Sequence, residues 1–297
     1  MKTEKNIFIA FILNFFFSIF EFIGGILTNS FAIMSDALHD FGDAISIGIS
    51  LILEKKARKL ADNKSSYGYT RYSVVGSLIT TTILLLSSVV IIVKAITRVL
   101  NPATINYDGM IMFAVLGLVI NAISMYLTRH KENLNQKAVN LHMLEDVLGW
   151  IVVLVGAIII KFSNLTIIDP ILSIIVSLFI IIFAIKNLKE IFSVLLDKTP
   201  QNIKLDVIKE KILGINGVID AHHLHVWSVD GINLCSTMHV KISNNTSQSD
   251  LKRKVKHLLE DFNINHSVIE IELEDEFCTE VCCNLLDNFN KEFIHKH

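Results

Sequence analysis

The chain has 297 residues, of which 52% are hydrophobic and only 19% are charged. This balance is typical of a protein with much of its surface in lipid and disfavours an ordinary soluble protein. The formal net charge is −2, so nothing in the composition indicates a nucleic-acid partner.

Six apolar stretches are long enough, at about 20 residues each, to cross a bilayer as helices. They cover residues 7–27, 31–53, 73–95, 107–127, 138–160 and 170–191. The first stretch follows two lysines, as a signal peptide would, but it carries Glu21 and lacks a small-residue cleavage site. We therefore predict an α-helical membrane domain with six transmembrane helices over residues 1–196, in which the first helix is retained.

The distribution of Lys and Arg predicts the orientation, because cytoplasmic loops retain positive charge. Basic residues lie near the N-terminus and in residues 55–71, 129–137 and 186–189, which all fall on one side of the predicted membrane. The other side receives only Lys94, Arg98 and Lys161. We expect a multi-pass integral membrane protein with both termini in the cytoplasm, in a bacterial plasma (inner) membrane.

The sequence changes character after the sixth stretch, where Thr199-Pro200 breaks the last helix. Helical spacing of apolar residues predicts helices over 203–213 and 249–262, and the remaining pattern predicts strands over 218–229, 232–242 and 268–274. Asp230-Gly231 is expected to turn the first two strands into a hairpin. The order αββαβ predicts a small α+β cytosolic domain over residues 197–297.

Two of the predicted membrane helices carry imidazole and carboxylate groups, which are costly at membrane depth and need a partner or a function. His39 and Asp43 stand four residues apart, as do His142 and Asp146, so each pair lies on one helix face about 6 Å apart along the axis. If the two faces meet, their two nitrogens and two oxygens form a tetrahedral set that suits zinc. Hydrogen bonding between helices would explain one such histidine, but it explains two matched pairs less readily.

Four other acidic residues near these helices have less certain roles. Asp40 and Glu145 lie one residue off the ligand face; Asp40 is interpreted as a group beside the ligands or in the lumen, and Glu145 has no explanation. Glu21 and Asp36 either orient ligands and relay protons or form buried hydrogen bonds to a neighbouring helix.

Several segments closely resemble the cation diffusion facilitator family of metal/proton antiporters, in particular its zinc-transporting branch. The segment from Gly25 to His39 resembles the family's second-helix signature, and Tyr67-Gly-Tyr-x-Arg71 resembles the start of its third helix. Asp169-Pro170 resembles the start of its sixth helix, and His222-His-Leu-His-Val-Trp227 resembles part of its cytosolic domain. The resemblance covers nearly the whole chain in the right order.

This resemblance implies a homodimer in which proton influx drives the export of a divalent metal ion. It implies that the transport site consists of His39, Asp43, His142 and Asp146. In the family, His rather than Asp at the position of His39 accompanies a preference for zinc over cadmium.

The chain departs from the family pattern in three places. Glu145 and Trp150 stand where small residues are usual, and the loop after the fourth span has only His130 instead of a histidine-rich run. The loop between the second and third spans has Ser65 and Tyr69 where some members have histidines. A metal site in that last loop is therefore not expected.

A second, regulatory zinc site is expected in the cytosolic domain. Four residues match positions that carry metal in similar domains: His222, His239, His266 and Glu272. Three cysteines resemble the C-terminal cysteine motif of some zinc transporters: Cys278, Cys282 and Cys283. Imidazoles and thiolates together suit zinc, and cytoplasmic cysteines stay reduced. The alternative is that the acidic residues form a solvated strand face and that His222 is a hydrogen-bonding residue at a strand end.

These patterns predict a divalent metal efflux transporter, a zinc/proton antiporter that works by alternating access, with the lipid bilayer, protons and metal ions as its partners. Zn²⁺ is expected as the transported ion and as a cytosolic regulator. Two alternatives stay open. One is a transporter of the same fold that carries mainly cadmium, cobalt, iron or manganese, and the other is a membrane metal sensor that does not transport. A membrane metalloenzyme is disfavoured, since the sequence lacks His-Glu-x-x-His and four protein ligands leave no position for a reactive water.

Overall fold

In the described residues of the computed structural model, six long helices precede a small α+β unit. The structure describes residues 2–27, 31–100, 107–129, 133–163, 167–276 and 278. These residues divide into two compact units, Met1–Phe192 and Ser193–His297, and each unit is described separately below.

Each of the six apolar stretches predicted from the sequence lies within one helix of the first unit. The helices are α1 (Lys2–Leu27), α2 (Phe31–Ala57), α3 (Arg71–Leu100), α4 (Tyr107–Thr128), α5 (Leu134–Ser163) and α6 (Ile168–Leu195). Within the described ranges, two of them hold segments long and apolar enough to cross a membrane by length and composition alone: Glu4–Gly24 and Arg71–Thr97.

Helix α5 lies at the centre of the first unit, where it contacts each of α1, α2, α3 and α4. It begins after Asn133, whose side-chain oxygen accepts a hydrogen bond of 2.8 Å from the backbone N–H of Gln136 and so caps the helix. An ion pair between Lys137 and Glu190 joins α5 to α6. Side chains of α5 are therefore well placed to form a site with several neighbouring helices.

Trp150 of α5 occupies space that a glycine of α4 leaves open. A Cβ atom added to Gly117 would lie only 2.4 Å from Cε2 of the indole, so no larger residue fits there without movement. On its other side the indole meets Phe17 of α1 edge-on, with ring centroids 5.7 Å apart. The bulky Trp150 is thus accommodated by a small partner on the facing helix.

Within its described residues, the second unit contains two helices and three strands in the predicted order αββαβ. They are α7 (Leu205–Leu213), β1 (Val218–Ser228), β2 (Leu234–Ile242), α8 (Gln248–Glu260) and β3 (Ile264–Leu273). The sheet order is β1-β2-β3, with β2 antiparallel to β1 and parallel to β3. A parallel pair needs a crossover connection, and α8 provides it.

The predicted hairpin turn between β1 and β2 is confirmed. Gly231 has a φ of 93°, which a glycine adopts without steric cost, and Asp230 Oδ1 accepts hydrogen bonds from the backbone N–H groups of Ile232 and Asn233.

Strand β3 begins four residues earlier than the predicted 268–274. The polar run at 265–267 shows no apolar alternation, so the pattern gave no sign of a strand there. In the structure Ile264 is buried and pairs with Leu234 of β2. Pairing with a neighbouring strand, rather than alternation, extends β3 in the N-terminal direction.

Both helices of the second unit pack their apolar faces against the sheet. The fully buried side chains of this core include Ile208, Ile212, Leu251, Leu259, Met238 and Ile242. Strand β1 is irregular, because its register against β2 shifts between His222 and His225, and His223 has a left-handed φ of 49°. This bulge lies beside a cluster of potential metal ligands.

Candidate metal centres

A buried cluster in the first unit joins one residue of α2 with two residues of α5. The ligand atoms of Asp43, His142 and Asp146 all lie within 4.8 Å of one another. His142 is fully buried and Asp43 is 4% exposed, whereas Asp146 is half-buried. Nε2 of His142 lies 3.7 Å from Oδ1 of Asp43. The structure thus brings together three of the four residues predicted as transport ligands.

The fourth predicted ligand, His39, belongs to α2, but its side chain lies outside the described part of the structure, as does that of Asp36. His39 precedes Asp43 by four residues, and residues at this spacing share one face of a helix. Its participation stays a prediction. Of the other acidic residues, Glu21 is buried in α1 and Asp40 is half-buried in α2.

His142 is a fully buried polar side chain of α5. Neither Nδ1 nor Nε2 has a hydrogen-bond partner within the part of the chain that the structure describes. Buried polar groups are normally paired, because leaving one unpaired costs free energy. Two neighbouring carboxylates add negative charge to the same buried volume, so a divalent cation satisfies both the imidazole and the carboxylates.

Asn14 of α1 supports this cluster from a third helix. The side chain is buried, and its Nδ2 donates to Oδ2 of Asp146 at 3.5 Å. Metal-binding carboxylates are commonly held by such hydrogen bonds, which fix the direction of the ligand oxygen. Asn14 was not predicted as part of the site, although an amide inside an apolar helix was a visible signal.

Glu145, next to Asp146 on α5, accepts hydrogen bonds from α3. Oγ of Ser88 donates to its Oε1 at 2.6 Å, and Oγ of Ser87 lies 3.4 Å from its Oε2. The residue is only 7% exposed, so these hydroxyls compensate for burying a polar group between two helices. Glu145, unexplained in the sequence, thus ties α5 to α3 next to the ligand pair.

A second buried carboxylate, Glu54, joins the end of α2 to the start of α5. Nδ2 of Asn133 lies 3.0 Å from both of its oxygens, and Nδ2 of Asn135 lies 3.2 Å from Oε2. Ser50 completes the network by donating to Oδ1 of Asn135 at 2.7 Å. Glu54 stands about three helical turns beyond Asp43, so the two helices that carry the ligands are also fixed together at some distance from the cluster.

A second cluster of potential ligands lies on the sheet of the second unit. The ligand atoms of His222 on β1, His239 on β2, Glu272 on β3 and Cys278 all lie within 4.8 Å of one another. His222 and His239 are direct cross-strand partners. Nδ1 of His239 lies 2.8 Å from Oε1 of Glu272 and 3.7 Å from Sγ of Cys278, and Nε2 of His222 lies 3.3 Å from the same carboxylate oxygen.

Interactions within this cluster favour the ionised form of Glu272, which is the form that binds a metal ion. Burial raises the pKa of Glu272, but the hydrogen bond with His239 and the charge of His222 outweigh it, so the pKa lies below its usual value. The carboxyl is therefore ionised at neutral pH. Two imidazoles, a carboxylate and a thiol make a four-donor set of the kind that holds zinc tetrahedrally.

The other predicted cytosolic ligands are not part of this cluster as described. His266 is exposed on β3 opposite Cys235, six residues before Glu272, which is about 20 Å along a strand. Cys282 and Cys283 lie outside the described residues.

Comparison with known proteins matches both units to families. Residues 7–196 match the family described as Cation efflux transmembrane domain, and residues 200–274 match the one described as Cation efflux protein, cytoplasmic domain. The Bacillus subtilis protein named cadmium, cobalt and zinc/H(+)-K(+) antiporter is 34% identical over 280 residues, which cover 92% of this chain and 90% of that protein.

Two further relatives cover a similar share. The zinc transporter ZitB of Pectobacterium atrosepticum is 31% identical over 285 residues, covering 93% of this chain and 89% of that protein. The metal cation efflux system protein CzcD of Cupriavidus metallidurans is 32% identical over 277 residues, covering 91% and 87%.

Proposed function

The chain belongs to the cation diffusion facilitator family, whose members are cation efflux transporters, and from this premise we propose that it exports zinc from the cytoplasm in exchange for protons. It is an integral membrane protein that carries divalent metal cations outward. The proposal adds that α1 to α6 all span the membrane and that both termini lie in the cytoplasm. It also adds that two copies form a homodimer.

The observation that carries the proposal is the buried cluster of Asp43, His142 and Asp146. Its donor atoms are close enough to share one ion, and its only imidazole has two buried nitrogens without a described hydrogen-bond partner. With His39 as the fourth donor, the site becomes two nitrogens and two oxygens around zinc. A site without thiolates releases its ion more readily than a structural zinc site, which transport requires.

The mechanism follows from the protonation state that metal ligands need. Zinc arriving from the cytoplasm binds neutral imidazoles and ionised carboxylates, so protons leave the site as the ion enters. A change in the packing of the helices then opens the site to the opposite side. There, protons return to the ligands and the ion leaves. One turnover exchanges metal for protons without any covalent step.

The test replaces one carboxylate at a time. Asp43→Ala or Asp146→Ala removes one donor and one of the two negative charges that offset a divalent ion in a low-dielectric surrounding, so either change should reduce zinc accumulation in sealed vesicles to background. The double variant should add little, because the ligands act as one unit. Asp250→Ala, the same change at a surface position of α8, is the matched control.

The outcome that contradicts the transport site is specific. If Asp43→Ala vesicles accumulate zinc at the wild-type rate under a proton gradient, the assignment is wrong. Size-exclusion chromatography should show that every variant remains a folded dimer.

The range of metals is a second part of the proposal. The Bacillus relative is named for cadmium, cobalt and zinc, which favours a site that accepts more than one soft or borderline cation. We place zinc first, because His39 and His142 supply nitrogen donors. Vesicle uptake of zinc in competition with cadmium, cobalt, iron or manganese measures the order directly, and preferential uptake of manganese would contradict it.

We also propose that zinc binds in the cytosolic unit through His222, His239, Glu272 and Cys278, and that it acts there as a regulator. The supporting observation is the convergence of four different donors from three strands and the segment after β3.

A further inference from the structure

Strand β1 breaks the usual alternation of side chains at one end of the cytosolic cluster. In a regular strand, consecutive residues point to opposite faces of the sheet. The register shift between His222 and His225, together with the left-handed φ of 49° at His223, interrupts that rule. As a result, two consecutive imidazoles, those of His222 and His223, both lie beside His239.

The three imidazole rings form a nearly equilateral triangle. Ring centroids lie 5.2 Å apart for His222 and His223, 4.9 Å apart for His223 and His239, and 5.4 Å apart for His222 and His239. Imidazoles bound to one tetrahedral zinc ion, with bonds of about 2.0 to 2.1 Å, place their centroids about 5 Å apart. The triangle therefore has the size that one zinc ion with three histidine ligands requires.

The backbone at His223 is an uncommon one for a residue with a side chain. Left-handed conformations are rare outside glycine, although His is among the enriched exceptions, and they cluster at ligand sites where the surroundings hold them. Glycine would adopt this conformation without cost, so the backbone alone does not require a histidine at this position.

We propose that His223 is an additional zinc ligand of the cytosolic centre, one that exchanges with Cys278. This inference rests on the cytosolic metal site proposed above. His222, His239 and Glu272 would stay bound, and the fourth position of a tetrahedral ion would be filled by either the thiolate or the third imidazole.

The two donor sets differ in charge, and this gives the exchange a consequence. With Cys278 the ligands carry two negative charges, one each from the carboxylate and the thiolate, and so neutralise Zn²⁺. With His223 they carry only one. The set with Cys278 should therefore bind zinc more tightly. When the thiolate is lost, the set with His223 should still bind the ion, but with lower affinity.

Cobalt(II) spectroscopy on the full-length protein tests the exchange, because cobalt reports both its geometry and its sulfur ligands. The parent carries Asp43→Ala and Asp146→Ala, which silence the transport site. It should show tetrahedral absorption together with a thiolate-to-cobalt charge-transfer band. Adding serine at Cys278, Cys282 and Cys283 should remove the charge-transfer band, keep the tetrahedral absorption and weaken cobalt binding by about tenfold or more.

The decisive variant adds His223→Asn to that cysteine-free cluster. Asn tolerates the left-handed backbone, so the change removes the imidazole with little strain. Cobalt should then bind about tenfold or more weakly still, with a changed absorption spectrum, because water replaces the third imidazole at the fourth position. His225→Asn, an exposed position on the same strand, is the matched control and should change neither the affinity nor the spectrum.

Three other outcomes would contradict the exchange of ligands, and one of them would also contradict the cytosolic site. Cobalt affinity and absorption that both stay unchanged after His223→Asn overturn the exchange but leave the cytosolic site standing. Equal loss in the His225→Asn control also overturns it, because the effect would then not belong to His223. A parent protein that binds no cobalt overturns the cytosolic site and the exchange together.

Discussion

At the scale of one residue, His142 shows how the proposed transport site lowers the stability of the metal-free protein. The side chain is fully buried, and neither ring nitrogen is satisfied within the described residues. Such a group lowers the stability of the metal-free protein by about 1 to 3 kcal/mol relative to an apolar side chain of similar shape. In the proposed transport site, the bound ion would supply the missing partner.

The variant His142→Leu tests this balance. It removes the buried polar atoms, so the metal-free protein should unfold at a higher temperature, with a gain of about 1 kcal/mol or more. The same change should abolish the further rise in unfolding temperature that zinc gives the wild-type protein. Thermal unfolding in detergent, with and without zinc, measures both effects. A variant that still gains stability from zinc as the wild type does would contradict the role of His142 as a ligand.

At the scale of helices and strands, sequence patterns predicted which elements exist better than which elements meet. Apolar length gave all six helices of the first unit, and the spacing of His142 and Asp146 placed two ligands on one face of α5. The partners of Glu145 and Asp146 were not predictable, because contacts with Ser88 and Asn14 depend on how separate helices pack. The early start of β3 was missed for the same reason, since pairing with β2 holds its polar residues.

The close contact between Gly117 of α4 and Trp150 of α5 can be tested by its effect on stability. Gly117→Ala places a methyl group against the indole of Trp150 and should destabilise the protein by about 1 to 3 kcal/mol. Gly149→Ala on α5, where nothing lies within 4 Å of the added Cβ, is the matched control and should be neutral or slightly stabilising.

A second substitution can show whether contact with Trp150 causes that destabilisation. In a Trp150→Leu background the methyl group has room, so Gly117→Ala should cost much less than it does alone. Thermal unfolding of the four proteins in the cycle measures this coupling. Equal costs in both backgrounds would show that the contact with Trp150 is not the reason.

At the scale of the whole molecule, two clusters of potential metal ligands with different donors lie in two separate units. The first uses an imidazole and carboxylates, whereas the second adds a thiol. Sulfur donors favour tight binding of zinc, and a set without them favours release. This difference in donors follows from the sequence, in which all four cysteines lie in the last quarter of the chain.

Proton release measured on the whole protein tests the coupling between metal and protons. Zinc binding at the transport site should release protons, so the apparent binding enthalpy should vary with the ionisation enthalpy of the buffer. Affinity should fall as the pH drops from about 7.5 to 5.5, since free imidazole titrates near 6.5. The Asp43→Ala, Asp146→Ala variant should lose this component and leave only the cytosolic centre. Binding that is independent of buffer and pH would contradict proton exchange at the site.

The chain has two tryptophans, and each unit contains one of them. Trp150 follows Asp146 by one turn of α5, and Trp227 lies on β1, the strand that also carries His222. Cobalt accepts energy from an excited indole over short distances, so ion binding should quench the fluorescence of the nearer tryptophan. Trp150→Phe leaves only the emission of Trp227, and Trp227→Phe leaves only that of Trp150. Occupancy of each centre can then be followed separately and in real time in the intact transporter, without an attached dye.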